Sequence, residues 1–156
     1  MPQNQGQRDL VAKMKLIHNK AVIEGKKMIF LDDSIVRGTQ LKDNSIDLRA
    51  SGASEVHMRI ACPQLLFACD FLNFSESRSI LELAGRKAIS QLGGDEKDLQ
   101  KYADPDSVKY SEMVKKIAEN LDLDSLVYQR LDDLVAAIGL PKEKLCTHCL
   151  DGTSYF

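Results

Sequence analysis

Apolar positions along the chain fall into short blocks separated by glycine, proline and charge clusters. Residues 1–8 contain Pro2 and Gly6 among polar neighbours and read as a mobile arm. Between Asp9 and Ile23 the positions Leu10, Val11, Met14, Leu16, Ile17, Ala21 and Val22 permit either a short helix or an extended segment. Gly25-Lys26-Lys27 then turns the chain into Met28-Ile29-Phe30-Leu31, a continuous apolar run of the kind a strand buried on both faces shows, and Asp32-Asp33 ends it. After Gly38, the spacing of Leu41, Ser45, Ile46 and Leu48 predicts a helix over Thr39–Ala50, N-capped by Thr39 and stopped by Gly52. Glu55–Ile60 alternates as a second strand. Strand, loop, helix and strand within some 35 residues form a βαβ unit, whose parallel crossover is expected to be right-handed.

The remainder reads as mainly helical. Residues 61–74 are apolar and irregular, with Pro63 as a breaker. Ser75–Gln91 reads as a helix starting at Ser75 or Ser77 and ended by Gly93-Gly94. Residues 95–106, charged and interrupted by Pro105, read as a solvated connection. Ser107–Asn120 is amphipathic through Val108, Met113, Val114, Ile117 and Ala118. Leu126-Val127-Tyr128 suits a short strand, and Leu131–Ile138 a last helix closed by Gly139 and Pro141.

Composition adds limits. The 156 residues, 44% hydrophobic and 28% charged, suffice for one domain with a real core and exclude a disordered, collagenous or coiled-coil chain. The net charge of −2 gives no reason to expect a nucleic acid or an anionic membrane as partner. Residues 1–50 nevertheless carry +3, so an anion is best accommodated in the first third. No run reaches the length of a membrane span and the N-terminus lacks the apolar stretch of a signal peptide, so a cytoplasmic location is expected.

The chemistry concentrates at Asp32–Gln40, where an α/β protein binds ligands at the carboxyl end of a strand. Ser34, Gly38 and Thr39 offer small side chains, hydroxyls and backbone N–H groups leading into a helix N-terminus, a natural phosphate site. Asp32 and Asp33 would repel that phosphate, so they belong at the other end of the ligand, on a sugar diol or Mg²⁺. A phosphate at one end and a diol at the other describe a ribose 5-phosphate. Neither a Walker G-x-x-x-x-G-K-[ST] nor a G-x-G-x-x-G is present. Cys146-x-x-Cys149 has spacing that suits zinc, a redox pair, half an iron–sulfur site or plain structural thiols; a thioredoxin-like role is disfavoured by its C-terminal position. His57 reads as a packed strand residue, and His18 and His148 as exposed.

The run Phe30-Leu31-Asp32-Asp33-Ser34-Ile35-Val36-Arg37-Gly38-Thr39 resembles the phosphoribosyl pyrophosphate (PRPP) motif of type I phosphoribosyltransferases, in the wording of the amidophosphoribosyltransferase family. Further matches follow in order: Gln5, Arg8 and Lys13-Met14-Lys15-Leu16; Gly52-Ala53 with Glu55–Ile60; Asp124-Ser125-Leu126 with Tyr128; and Leu145–Cys149 with Gly152. The resemblance implies an α/β fold, a partial type I phosphoribosyltransferase with a Rossmann-like parallel sheet followed by a mainly helical C-terminal extension. It divides the chain into 1–62, an N-terminally incomplete PRPP-binding part, and 63–156, the remainder with the Cys-x-x-Cys. It implies Asp32 and Asp33 as catalytic residues holding the ribose hydroxyls and Mg²⁺, Ser34, Ile35, Val36, Arg37, Gly38 and Thr39 as the 5-phosphate loop, and Arg8, Lys13 and Lys15 as pyrophosphate contacts. The reaction implied is glutamine- or ammonia-dependent formation of 5-phosphoribosylamine, which opens purine synthesis, with purine nucleotides as inhibitors. One branch of the family carries a [4Fe–4S] cluster; Cys69, Cys146 and Cys149 match three of its ligands, and Cys62 reads as a buried thiol, with substitution for the fourth ligand as the alternative.

The chain also departs from the family. Asp70–Phe74 replaces an aromatic–Gly–Ile–Asp run, and about 20 residues around 85–106 read as inserted. The match covers about the last third of a family member, without the glutaminase domain or the strands preceding the motif. The expectation is a chain inactive alone that depends on a missing glutaminase partner or on self-association through exposed apolar edges. The alternatives are a regulatory nucleotide-binding module that has lost catalysis and an iron–sulfur protein with a vestigial loop.

Overall fold

The computed structural model describes residues 19–69, 71 and 80–153. The segment 1–8 read as an arm, the segment to His18 and the residues Arg8, Lys13 and Lys15 lie outside the described residues, as do Ser75 and Ser77. Asn19 caps a single helical turn, α1 (Lys20–Ile23), its side chain accepting the Ala21 N–H at 3.1 Å. Gly25 then turns the chain into β1 (Lys27–Asp32). This strand pairs in parallel with β2 (Glu55–Ile60), which pairs in parallel with β3 (Ser125–Tyr128), giving the order β1-β2-β3.

The register puts Phe30 opposite Met58 and Met58 opposite Leu126. The two-residue period of a strand therefore directs Met28, Phe30, Val56, Met58, Ile60, Leu126 and Tyr128 to one side, where they enter the core. The opposite side carries a polar ladder across all three strands: Lys27 pairs with Glu55 at 2.6 Å, and His57 bridges Glu55 and Ser125, both at 2.9 Å. His57 is thus a cross-strand tie, in keeping with its reading as a packed strand residue.

β1 itself corrects the sequence reading. Its apolar run is not buried on both faces: Ile29 is 64% and Leu31 77% exposed, because no described residue covers the outer face of the sheet at β1. All-parallel sheets ordinarily have both faces covered, and among the described residues this side is left uncovered.

α2 (Thr39–Ala50) crosses from β1 to β2 and buries Leu41, Ser45 and Leu48, while Ile46 stays exposed. Thr39 is its first residue rather than its cap. Gly38 occupies the cap position in a left-handed conformation, with no side-chain cap. Ser45 donates to the Asp122 carbonyl at 2.7 Å, and Arg49 reaches Asp124 at 2.9 Å, so α2 also fixes the entry to β3.

The expected Ser75–Gln91 helix is shorter among the described residues, with a 3₁₀ turn at Ile80–Glu82 and then α3 (Ala84–Gln91). Nor is 95–106 merely a solvated connection. It contains a 3₁₀ turn at Glu96–Asp98 and α4 (Leu99–Ala103), because Tyr102, only 4% exposed, is drawn into the core against Gly94. α5 (Val108–Asn120) is capped by Ser107, whose oxygen accepts the Tyr110 N–H at 3.0 Å. It buries Met113, Ile117 and Ala118 but leaves Val108 exposed. Each fully buried side chain of this size contributes about 1.5–3 kcal/mol, so Met113 and Ile117 are principal anchors of the helical layer.

α6 (Leu131–Ile138) ends at Gly139 as expected and buries no residue. It is not the last helix, because a turn α7 (His148–Asp151) follows. The Cys149 carbonyl accepts the N–H groups of Leu66 and Phe67 at 3.0 and 3.2 Å, which docks the C-terminal end beneath the sheet connection.

Asp124 makes the link between β2 and β3 sensitive to pH. It accepts the Val56 N–H at 2.7 Å, and this bond, followed by Arg49, holds its carboxyl below the usual carboxylate range. A carboxylate depressed in the folded state stabilises it above the unfolded pKa of roughly 3.9, and that contribution disappears as the pH falls through the folded value. Asp124→Asn is therefore expected to destabilise the protein in urea titrations at pH 7, with the difference from wild type shrinking at pH 3.

Candidate functional site

The loop from Asp32 to Gly38 leaves the carboxyl end of β1 and enters the N-terminus of α2. Along with Phe30, Thr39–Leu41 and Asn44, it lines a cleft of about 770 Å³. All eight residues of the predicted motif, Asp32 to Thr39, meet on this one surface. Asp32 Oδ1 accepts the Asp33 N–H at 2.9 Å and Asp33 Oδ1 accepts the Ser34 hydroxyl at 3.4 Å, so each carboxylate is held by the loop's own donors. At the other end, the first helical N–H groups of α2 have no intrahelical acceptor and favour an anion.

The loop is held from behind at four points. Ile35 is buried in the core, the Val36 carbonyl accepts the Ala84 N–H at 2.8 Å, and Arg37 Nε lies 3.2 Å from Glu82. Gly38, at φ 78°, lies so close to Leu121 that a Cβ would come within 2.7 Å of Leu121 Cδ2. The sequence reading did not identify Glu82, Ala84 or Leu121 as supports. They come from distant segments, and nothing in their local pattern marks them.

Two carboxylates of Asp32 and Asp33 are hard oxygen donors suited to Mg²⁺, with the remaining positions left to substrate and water. The soft donors lie elsewhere. None of the four cysteines is in a disulfide; Cys62, Cys69 and Cys149 are half-buried and Cys146 is exposed. Burial, and after it the charge of Asp33, pushes the Cys62 thiol up. Burial first, then the neighbouring Cys62, Cys69 and Cys146, pushes Cys149 up to about 11. His148 is half-buried rather than exposed; its ring packs 5.9 Å from that of Phe67, and its buried Nδ1 has no hydrogen-bond partner among the described residues. The four thiols are soft donors of the kind an iron–sulfur cluster takes. Among the described residues, however, no three His, Cys, Asp or Glu are gathered closely enough to hold a metal ion. No helix among the described residues is long and apolar enough to cross a membrane.

No protein-family model matches the chain. It is similar to the amidophosphoribosyltransferase of Methanocaldococcus jannaschii, 30% identical over 149 residues, which are 96% of this chain and 26% of that protein. It is 34% identical over 147 residues to the chloroplastic amidophosphoribosyltransferase 3 of Arabidopsis thaliana, covering 93% of this chain and 23% of the relative. Its fold matches the B. subtilis glutamine PRPP amidotransferase complexed with ADP and GMP, with a TM-score of 0.60 at 23% identity, over 99% of this chain and 29% of that one. It also matches a structure described as the allosteric regulatory enzyme of purine biosynthesis, with a TM-score of 0.62 at 23% identity, over 99% of this chain and 28% of that one. The chain thus spans about a quarter of the length of the relatives it matches, less than the third its motifs suggested. Three parallel strands with flanking helices are a phosphoribosyltransferase-like α/β arrangement, and over nearly its whole length this chain is homologous to a C-terminal portion of the amidophosphoribosyltransferases, a group of glycosyltransferases.

Proposed function

We propose that this chain is the PRPP-binding C-terminal part of an amidophosphoribosyltransferase and serves the formation of 5-phosphoribosylamine and pyrophosphate. The observation that carries this reading is the single cleft in which two adjacent carboxylates at the end of a parallel strand lead, within six residues, to the first turn of a 12-residue helix. In this reading Ser34–Thr39 hold the 5-phosphate, and Asp32 and Asp33 accept hydrogen bonds from the ribose hydroxyls. The chain's own contribution to catalysis is then orientation of the ribose, since displacement of pyrophosphate leaves positive charge on the ring and rewards a fixed geometry. Mg²⁺ held by Asp32 and Asp33 would offset the negative charge of the departing pyrophosphate. Residues 1–62 supply the PRPP-binding part and 63–156 the support behind it. Ammonia would come from a glutaminase partner, and purine nucleotides would compete for the ribose-phosphate cleft.

Thermal unfolding with Mg·PRPP tests this reading. A ligand bound only by the folded chain at ~100 times its Kd adds about 2.7 kcal/mol of stability. The expected result is a raised Tm that EDTA reverses; an unchanged Tm at millimolar Mg·PRPP contradicts it.

We also propose that Cys69, Cys146 and Cys149 are ligands of a [4Fe–4S] cluster, supported by the Cys-x-x-Cys spacing and by the soft-donor chemistry of the thiols. Such a cluster would tie the C-terminal turn to the segment after β2. Anaerobic reconstitution with iron and sulfide is expected to give a coloured protein, with colour lost in Cys146→Ser/Cys149→Ser. A colourless wild type overturns the assignment.

A further inference from the structure

A second cleft lies behind the phosphate loop. About 330 Å³ in volume, it is bounded by the loop and first turn of α2, by α3, and by the C-terminal end of α5. Its floor is apolar, formed by Ala84, Ile117 and Leu121. Three cations converge on it from separate elements: Arg37 from the loop, Lys42 from α2 and Lys87 from α3. No acidic residue among the described ones lines it, although the chain as a whole is acidic. Arg37 is partly balanced by Glu82 at 3.2 Å. Lys42 and Lys87 make no ion pair among the described residues. At its edge, Asn120 Nδ2 donates to Gln91 Oε1 at 2.7 Å, which ties α5 to α3.

Three like charges around an apolar floor repel one another unless an anion sits between them, and the low-dielectric floor strengthens both effects. The size decides the class of anion. At the lower end of small-ligand cavities, the cleft suits a compact phosphate group better than an extended cofactor. Lys87 and Gln91, which form one wall, fall in the 85–106 segment that departs from the amidophosphoribosyltransferase pattern. The cleft therefore joins residues outside the PRPP motif, Lys42 and Lys87 among them, to Arg37, Gly38 and Thr39 of the motif, which form a wall common to both cavities.

We propose that the cleft walled by Arg37, Lys42 and Lys87 is a second anion site that binds a compact polyphosphate. Because the two clefts share the Arg37–Thr39 wall, an anion in the rear cleft weakens anion binding at the front, and the front ligand weakens the rear one by the same factor. This coupling rests on the proposed function of the front cleft; binding at the rear does not.

Backbone-amide NMR titration with inorganic pyrophosphate, without Mg²⁺, tests the site. Saturable shifts are expected at Lys87, Gln91 and Asn120. In Lys42→Gln/Lys87→Gln the affinity at these amides should fall at least ~10-fold, about 1.4 kcal/mol. Both lysines are exposed, and unchanged spectra elsewhere in the variant would report an intact fold. Shifts confined to Asp33–Val36, no saturable shift, or equal affinity in the variant would overturn the proposal. Repeating the titration with ribose 5-phosphate present separates the two readings. Rear shifts without any ribose 5-phosphate binding would contradict only the front-site function, whereas both ligands binding without mutual weakening would overturn the coupling.

Discussion

Replacing Gly38 with valine is expected to lower the unfolding free energy by roughly 2–5 kcal/mol and to abolish ligand binding in the front cleft. Two costs combine. The residue sits at φ 78°, where a side chain costs about 1–2 kcal/mol, more for a β-branched one. Its Cβ would also come within 2.7 Å of Leu121 Cδ2, and overpacking of this kind costs typically 1–3 kcal/mol. Leu121 is buried, so it cannot yield freely. The loop would have to lift off α5, and with it the first turn of α2 that closes the phosphate end. Gly38→Val/Leu121→Ala separates the terms: it should relieve the clash but leave the backbone strain. Urea unfolding gives the stability, and Mg·PRPP titration gives the binding. A Gly38→Val protein with wild-type stability would contradict the described loop.

Asp32→Asn/Asp33→Asn should have the opposite profile, with stability nearly unchanged and binding lost. Neither side chain is buried, and an amide oxygen at position 32 can still accept the Asp33 N–H. What disappears is charge. Hydrogen bonds to charged groups contribute about 1.5–3 kcal/mol each, so two of them correspond to roughly 3–6 kcal/mol, or about 10²–10⁴-fold in Kd. The loss should be larger for Mg·PRPP than for ribose 5-phosphate, because only the former brings the metal to these carboxylates.

The parts of the fold that were legible in the sequence are those set by local periodicity. Glu55–Ile60 alternates in sequence and in burial, and Leu131–Ile138 ends at the predicted glycine. The front cleft was legible because its residues are contiguous. A strand end, two carboxylates, small residues and a helix start all lie within ten positions, so one local segment builds the whole surface. The failures depend on tertiary context. The apolar run of β1 cannot reveal that one of its faces is uncovered, since a covered and an uncovered strand can carry the same run. Charged residues around 95–106 concealed Tyr102, whose burial depends on Gly94 and on α5 folding beside it. Thr39 has the chemistry of a cap, yet Gly38 takes the position because Leu121, 83 residues away, leaves no room for a side chain. The rear cleft was invisible for the same reason: its three cations come from positions 37, 42 and 87, which only the packing of α3 against the loop brings together.

As proposed above, Asp32–Thr39 form a ribose-phosphate site with the carboxylates at one end and the helix start at the other. The decisive experiment is calorimetric titration of the full chain with Mg·PRPP, alongside Asp32→Asn/Asp33→Asn. Saturable one-to-one binding by the wild type and a loss of at least ~100-fold in the variant are expected, with both proteins unfolding at the same urea concentration. Equal binding by the two proteins, or none by the wild type, would contradict it.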